Sequence, residues 1–452
     1  MAIKALRGFN PGGFLRSVTV LMSGASLVQV LSLLVLPVLT QIYSPSGFKV
    51  LAVFSALAIV TSLAACLGFD AALPFAETED DAVNLLGCAA LGVSATTGLV
   101  TLLTVGSYVA FGVTRSPVTP DYAAILWLLP LATLMIGATS AMEYWSTRRH
   151  RFALISQARI AQVVVGVGVQ VALGYSGVGP TGLLLGYVLT CGLGFIFLCV
   201  GFWRHDRDLL RKIDVVSLRR VAGYYGAFPR FTALESLANA GSVYLPVLVI
   251  SMALAGPEAG FIALAVRLVQ APLYLIGRSV GQVYLSRALE SLEAQRLKSD
   301  TARVVRILAS FLTGPLIAAV ILAPEVISLI LGPIWRPVGV YIVWILPWIY
   351  FLFLSTSILP TMYALKRNAL MMGLTIFGLI LRTGTVSAAA IWDKRFVVPI
   401  YAASGAVFYG VLLLVVMWVN GVRLSDLKPP NRWAILSFIA FPLGAYAIRS
   451  MI

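Results

Sequence analysis

Residues 260–285 read GFIALAVRLVQAPLYLIGRSVGQVYL, and this stretch decides the fold class. Its only charges are Arg267 and Arg278, set in an otherwise apolar run. At about 1.5 Å per residue it is long enough to cross a hydrocarbon core of about 30 Å. Its polar residues are ordered: Arg267, Gln270, Tyr274, Arg278 and Gln282 form one stripe on a helix. An arginine near the centre of a span costs about 2.5–3.5 kcal/mol on insertion scales. A face carrying two of them is expected to line a polar interior and not lipid.

The rest of the chain is of the same kind. Its 452 residues are 60% hydrophobic and 11% charged, with a mean hydropathy of +0.94. That balance excludes an ordinary soluble domain and gives an all-α polytopic membrane protein. Twelve apolar spans follow one another between residues 18 and 419, with a short thirteenth candidate at 433–449 that contains Pro442. The expected organisation is an N-terminal six-helix lobe at 1–203 and a cytoplasmic amphipathic linker at 204–222. A C-terminal six-helix lobe at 223–422 and a tail at 423–452 complete it.

The net charge of +15 does not indicate nucleic-acid binding, because the cations are spread through short loops between spans. Twenty-two of them, from Lys4, Arg7 and Arg16 to Arg423, Lys428 and Arg432, fall on the side of the N-terminus. The opposite side holds Lys49, Arg115, Arg336, Lys394 and Arg395, which places the N-terminus in the cytoplasm. The loop 71–82 carries Glu77, Glu79, Asp80 and Asp81 without a cation, but acids weigh little in this rule. Cys66, Cys88, Cys191 and Cys199 lie in apolar segments, and His150 and His205 in basic loops. No metal spacing or catalytic triad can be assembled from them, so neither an enzyme nor a cofactor is expected.

The two halves resemble each other. Gly47-Phe48-x-x-Leu51-Ala52-Val53 recurs as Gly260-Phe261-x-x-Leu264-Ala265-Val266. Pro37-Val38-Leu39 recurs as Pro246-Val247-Leu248, and Trp127-Leu-Leu-Pro130 as Trp344-Ile-Leu-Pro347. Three matches in the same order indicate duplication. Six spans per half is even, so the lobes are parallel repeats, with a substrate cavity expected between them.

Ionisable residues inside spans are the candidate site. Besides Arg267 and Arg278, with the neutral Gln270 between them, they include Arg159, Arg230 and Arg382. Arg159 begins a shorter stripe with Gln162, Gly166 and Gln170, and Glu235 and Asn239 share a face with Thr232. Both faces are expected to line the same interior. Arg267 and Arg382 fall near mid-membrane, whereas Arg159 and Arg230 are close enough to the inner edge to snorkel. The acids are Asp70, Glu143, Glu235 and Glu325. Glu235 is the deepest by sequence, and it, Glu143 and Asp70 are the ion-coupling candidates, with plain salt bridging as the alternative.

Several segments also resemble a known family. LPVLTQIYSPSGFKVLAVF at 36–54 and LGFDAALPFAETEDDAVNLL at 67–86 are similar to the start of polysaccharide flippases. EYWSTRRHRFALISQARIAQ at 143–162, FPRFTALESLANAGSVYLPVLVIS at 228–251 and AGFIALAVRLVQAPLYLIGRSVGQVYL at 259–285 extend the likeness. The family is the O-antigen and exopolysaccharide (Wzx-type) branch of the multidrug/oligosaccharidyl-lipid/polysaccharide (MOP) superfamily. Lys49 departs from it by standing where the family often has glycine, and the acidic loop lacks the lysines common there. The resemblance implies a polyprenyl-diphosphate-linked oligosaccharide moved across the cytoplasmic (inner) membrane, coupled to a proton or cation gradient. It also implies membrane lipids, a polysaccharide polymerase and a chain-length regulator as partners. Guanidinium forks suit a diphosphate. A multidrug exporter of the same superfamily would favour carboxylates in its cavity, and a membrane-embedded polymerase would need positioned acid/base groups on a sizeable loop.

Overall fold

A backbone inside hydrocarbon must satisfy its own N–H and C=O groups, and this chain does so with helices. The computed structural model describes residues 27–111, 120–293, 296–365 and 367–427, and among these there is no strand. The N-terminal cations Lys4, Arg7 and Arg16 and the apolar segment 433–449 lie outside the described residues.

In chain order the main helices begin with α1 (Leu27–Ile42), α2 (Pro45–Ala65) and α3 (Glu79–Phe111). Next come α4 (Pro120–Arg148), α5 (Phe152–Tyr175) and α6 (Pro180–His205). A shorter α7 (Val215–Tyr224) precedes α8 (Ala233–Ala253) and α9 (Glu258–Glu293). The series ends with α10 (Leu297–Leu331), α11 (Arg336–Ile358), α12 (Asn368–Trp392) and α13 (Val397–Val419). Nine helical segments among the described residues are long and apolar enough to cross a membrane. The helices α4 and α9 have 29 and 36 residues, also enough to span at about 1.5 Å each.

The sequence repeats fall at matching places in this order. Pro37 is in α1 and Pro246 in α8, and Gly47 and Gly260 stand in the first turns of α2 and α9. Pro130 and Pro347 are inside α4 and α11. The three elements that carry these repeats thus recur seven helices later, six spans plus α7.

The helices fall into two compact units. One comprises residues up to Tyr43 together with Phe54–Ala240. In it α5 and α6 form a close antiparallel pair: a side chain at Gly166 would overlap Thr190, and one at Gly194 would overlap Gln162. Gly186 likewise leaves room for Gln170. Both α3 and α6 pack on α4, around a core in which Trp145 meets Phe202 edge-on at 5.4 Å.

The other unit comprises Ser44–Val53 and the chain from Gly241 onward. Within it α11 packs against α9, α10 and α13. Gly339 allows α11 to approach the backbone of Ala323 and Pro324 in α10. Phe48 and Phe261, the paired residues of the two repeats, both meet the fully buried Trp335 edge-on, at 5.0 and 5.9 Å. Lys49 is buried beside them, donating to the carbonyls of Leu254 at 2.9 Å and Ala255 at 3.3 Å. The cation therefore caps the C-terminus of α8, where the dipole favours positive charge.

Candidate functional site

Three groups of polar side chains account for the sequence-predicted residues. The first lies in the N-terminal unit. After α2 the chain reverses through Leu67 and Gly68, with φ of 52° and 75°. A side chain at Gly68 would also stand 3.0 Å from the Phe228 carbonyl oxygen, so both conformation and space favour glycine there. The reversal sets Asp70 against α4, where its Oδ2 accepts from Ser140 Oγ at 2.7 Å. One turn along α4, Glu143 accepts two bonds from Arg159 of α5: Nε to Oε1 at 3.0 Å and Nη2 to Oε2 at 2.9 Å. Two predicted carboxylates and one predicted arginine therefore share a cluster. Arg159 is neutralised where it stands, by a parallel fork that fixes both side chains. Its stripe partners Gln162 and Gln170 face α6, and Gln170 Nε2 donates to Leu183 O at 3.2 Å. This face packs helix on helix and does not line an open interior, because polar spacing alone does not say which neighbour a stripe meets.

The second group surrounds Arg382 on α12. The residue is fully buried. Its guanidinium carbon lies 4.5 Å from the ring centre of Trp348, 5.5 Å from Tyr401 and 5.9 Å from Tyr409. Trp348 comes from α11 and both tyrosines from α13. Gly405 makes this possible, since a Cβ there would sit 2.8 Å from the indole of Trp348. Trp348 meets Tyr401 edge-on and stacks on Tyr409. Among the described residues, none accepts a hydrogen bond from Nε, Nη1 or Nη2 of Arg382, nor from Trp348 Nε1. The charge is held mainly by ring faces, a cation–π arrangement, with the Tyr401 hydroxyl beside the guanidinium.

The third set is spread over separate elements of the two units. Arg267 is exposed and Gln270, one turn on, is half-buried. Arg267 stands about 14 Å along α9 from its start at Glu258. The side chains of Tyr274, Arg278 and Gln282 lie outside the described residues. Arg230 is exposed in the π-helical turn Phe228–Thr232, ahead of half-buried Glu235 and exposed Asn239. Glu325 of α10 stands 3.7 Å from Arg336 at the start of α11.

Sequence reasoning missed two features. One is the aromatic cage, drawn from helices far apart in the chain. The other is a charge clamp built on the acidic loop. Glu79 takes two bonds from Arg149, at 3.1 and 2.6 Å. Asp80 pairs with Lys212 at 2.8 Å and Asp81 with Arg220 at 2.7 Å. Glu77 accepts from Tyr224 Oη at 3.0 Å. Asp206 accepts from Arg151 at 2.6 Å and from Trp145 Nε1 at 3.0 Å. The loop thus sits at the same end of this unit as the basic segments 148–151 and 204–220. The basic segment itself folds as a 3-10 turn, Arg207–Lys212, followed by α7. Asp214 caps α7 through Ser217 N–H, which breaks the segment in two. Leu218 and Ala222 of α7 pack on the core, while Val215 and Val216 are exposed.

Asp206→Ala is expected to destabilise this unit by about 3 kcal/mol, the low end for breaking a buried pair. The low end applies because Arg149 and Arg151 keep a quarter of their side chains exposed. A drop of several degrees in the thermal midpoint of the purified protein checks this, and an unchanged midpoint contradicts it.

Comparison with known proteins gives three findings. The sequence matches the family described as "Polysaccharide biosynthesis protein" over residues 38–339. None of the curated proteins matches it. The fold is similar to that of the lipid II flippase MurJ in an inward closed conformation, with a TM-score of 0.70 at 13% identity, over 95% of this chain and 98% of that one. It is also similar to an inward-facing multidrug resistance MATE family transporter of the MOP superfamily, with a TM-score of 0.55 at 14% identity, over 89% and 94% of the two chains. A MATE transporter from Vibrio cholerae gives 0.55 at 12% identity, over 94% and 98%. At such identities the likeness is one of fold.

Proposed function

The chain belongs to the polysaccharide biosynthesis protein family, and we propose on that premise that it is a flippase for polyprenyl-diphosphate-linked oligosaccharides. It takes repeat units made at the cytoplasmic face of the inner membrane and delivers them to the outer leaflet, for O-antigen, capsule or exopolysaccharide synthesis. The observation that carries this reading is Arg267, an exposed guanidinium about 14 Å into the 36-residue helix α9, within its apolar stretch. A diphosphate leaving water needs cationic donors, and a guanidinium offers two parallel N–H groups to phosphate oxygens. One turn on from Arg267, half-buried Gln270 supplies a neutral donor and acceptor suited to sugar hydroxyls.

Coupling is assigned to the cluster of Asp70, Glu143 and Arg159. Protonating Glu143 would remove the charge that holds Arg159 and free its fork. The multidrug-exporter reading shares the fold. It accounts less well for the arginine complement, since a cationic drug would be repelled by Arg267 and Arg230, both exposed on their helices.

Deleting the gene is the direct test. Lipid-linked repeat units should accumulate at the inner leaflet, with the mature glycan absent from the cell surface. Normal glycan export in the deletion strain overturns the assignment.

A further inference from the structure

The N-terminal unit contains an apolar groove that the proposed transport cycle does not use. Its volume is about 370 Å³, within the range of ligand sites. Helices α3 and α6 form the walls, with Val93 and Phe195 facing each other across a floor made by Ala138 of α4. Leu210 and Ile213, from the basic segment, line its end, and Trp203 stands beside them, 61% exposed. The lining is almost wholly apolar. Its hydroxyl, Ser94 Oγ, already donates to Ala90 O at 2.9 Å, so nothing inside waits for a polar ligand.

Size and charge identify the occupant. On α3 the lining runs from Leu86 to Ser94, and on α6 from Phe195 to Trp203. Each run is about 12 Å at 1.5 Å per residue, close to the depth of one leaflet. A single acyl chain of a phospholipid fits that length, and a polyprenyl tail would overrun it. The end lined by Leu210 and Ile213 is basic. Arg204, Arg207 and Arg211 flank these lining residues in the chain, are exposed and make no ion pair among the described residues. Their neighbours Arg149, Arg151, Lys212 and Arg220 are all engaged by the acids of the clamp. The clamp therefore holds the segment in place and leaves Arg204, Arg207, Arg211 and Arg219 without an ion pair among the described residues, the first three beside the groove.

We propose that this groove binds an anionic phospholipid of the adjacent leaflet, with one acyl chain between α3 and α6 and its phosphate at Arg204, Arg207 and Arg211. Trp203 sits at headgroup depth, where tryptophan is favoured. Basic residues near a membrane surface each strengthen anionic lipid binding by about fivefold. The site would tie the clamp to the charge of the membrane and deepen with anionic lipid content.

Photo-crosslinking of the purified full-length protein in nanodiscs tests this. The probes are phosphatidylglycerol and phosphatidylcholine carrying the same photoreactive acyl chain. Phosphatidylglycerol should label peptides 134–142 and 195–203 at least tenfold more than phosphatidylcholine. Ala138→Phe should abolish that labelling by filling the floor. The triple variant Arg204→Ala, Arg207→Ala, Arg211→Ala, which leaves the core untouched, should remove the preference for the anionic probe. Equal labelling by both lipids overturns the proposal, as does labelling that survives the triple variant with its preference intact. Displacement of phosphatidylglycerol by polyprenyl phosphate would instead assign the groove to the transported lipid.

Discussion

Replacing Arg267 with alanine is expected to stop export of lipid-linked glycan while leaving the amount of protein in the membrane unchanged. The residue is exposed on α9, so truncation opens no cavity in the packed unit. Removing a mid-span arginine also lowers the insertion cost, so the protein level should not fall. What is lost is a forked donor to a diphosphate. Hydrogen bonds to charged groups are worth about 1.5–3 kcal/mol each, so two lost bonds correspond to a rate fall of at least about 100-fold. Arg267→Lys keeps the charge and loses the fork, and should transport at an intermediate rate. Arg395→Ala is the control, because that arginine is exposed and pairs only with neighbouring Asp393 in the described structure. The measurement is export of repeat units per unit of membrane protein. Undiminished export by Arg267→Ala removes this residue from the site.

The fold class was legible because a bilayer imposes its constraint on every residue of a span, so composition and length carry it without any knowledge of contacts. The duplication was legible for a similar reason: Gly260 and Phe261 repeat Gly47 and Phe48 at equivalent first turns of α9 and α2. Gly260 shows what such a position does, since a Cβ there would stand 2.6 Å from the backbone nitrogen of Lys49. The acidic loop was not legible. Charge counting treats Glu79, Asp80 and Asp81 as nearly weightless, yet Arg149, Lys212 and Arg220 each answer one of them across 70 to 139 positions. Pairing over that distance leaves no local pattern to read. The stripe on α5 shows a different limit. Its helical period sets Gln162 and Gln170 on one face, but that face meets glycines and carbonyls of α6 and not an open interior. Periodicity gives the face and not its neighbour.

Arg382 allows the sharpest separation of function from folding. A structural arginine in a membrane protein is normally held by a carboxylate or by carbonyls, and removing it destabilises the fold. Here the guanidinium meets the faces of Trp348, Tyr401 and Tyr409 and the Tyr401 hydroxyl, with no ion pair and no well-aligned acceptor among the described residues. Cation–π contact is worth about 2 kcal/mol when desolvated. Unmet buried donors cost about 1–3 kcal/mol each, and three nitrogens carry them. Three ring contacts and three unmet nitrogens are of similar size, so the buried charge brings no clear net stability. Arg382→Met preserves the packed volume with a flexible apolar chain. It should therefore leave the thermal midpoint unchanged or raised, while export falls as steeply as for Arg267→Ala. Trp348→Ala should do the opposite first: a fully buried indole is lost, at about 3–5 kcal/mol, and the protein level drops before transport can be read. A stable, fully active Arg382→Met would free the arginine of any transport role. A methionine variant that unfolds would mean that the cage depends on the cation, and that the rings close around it because the charge is there.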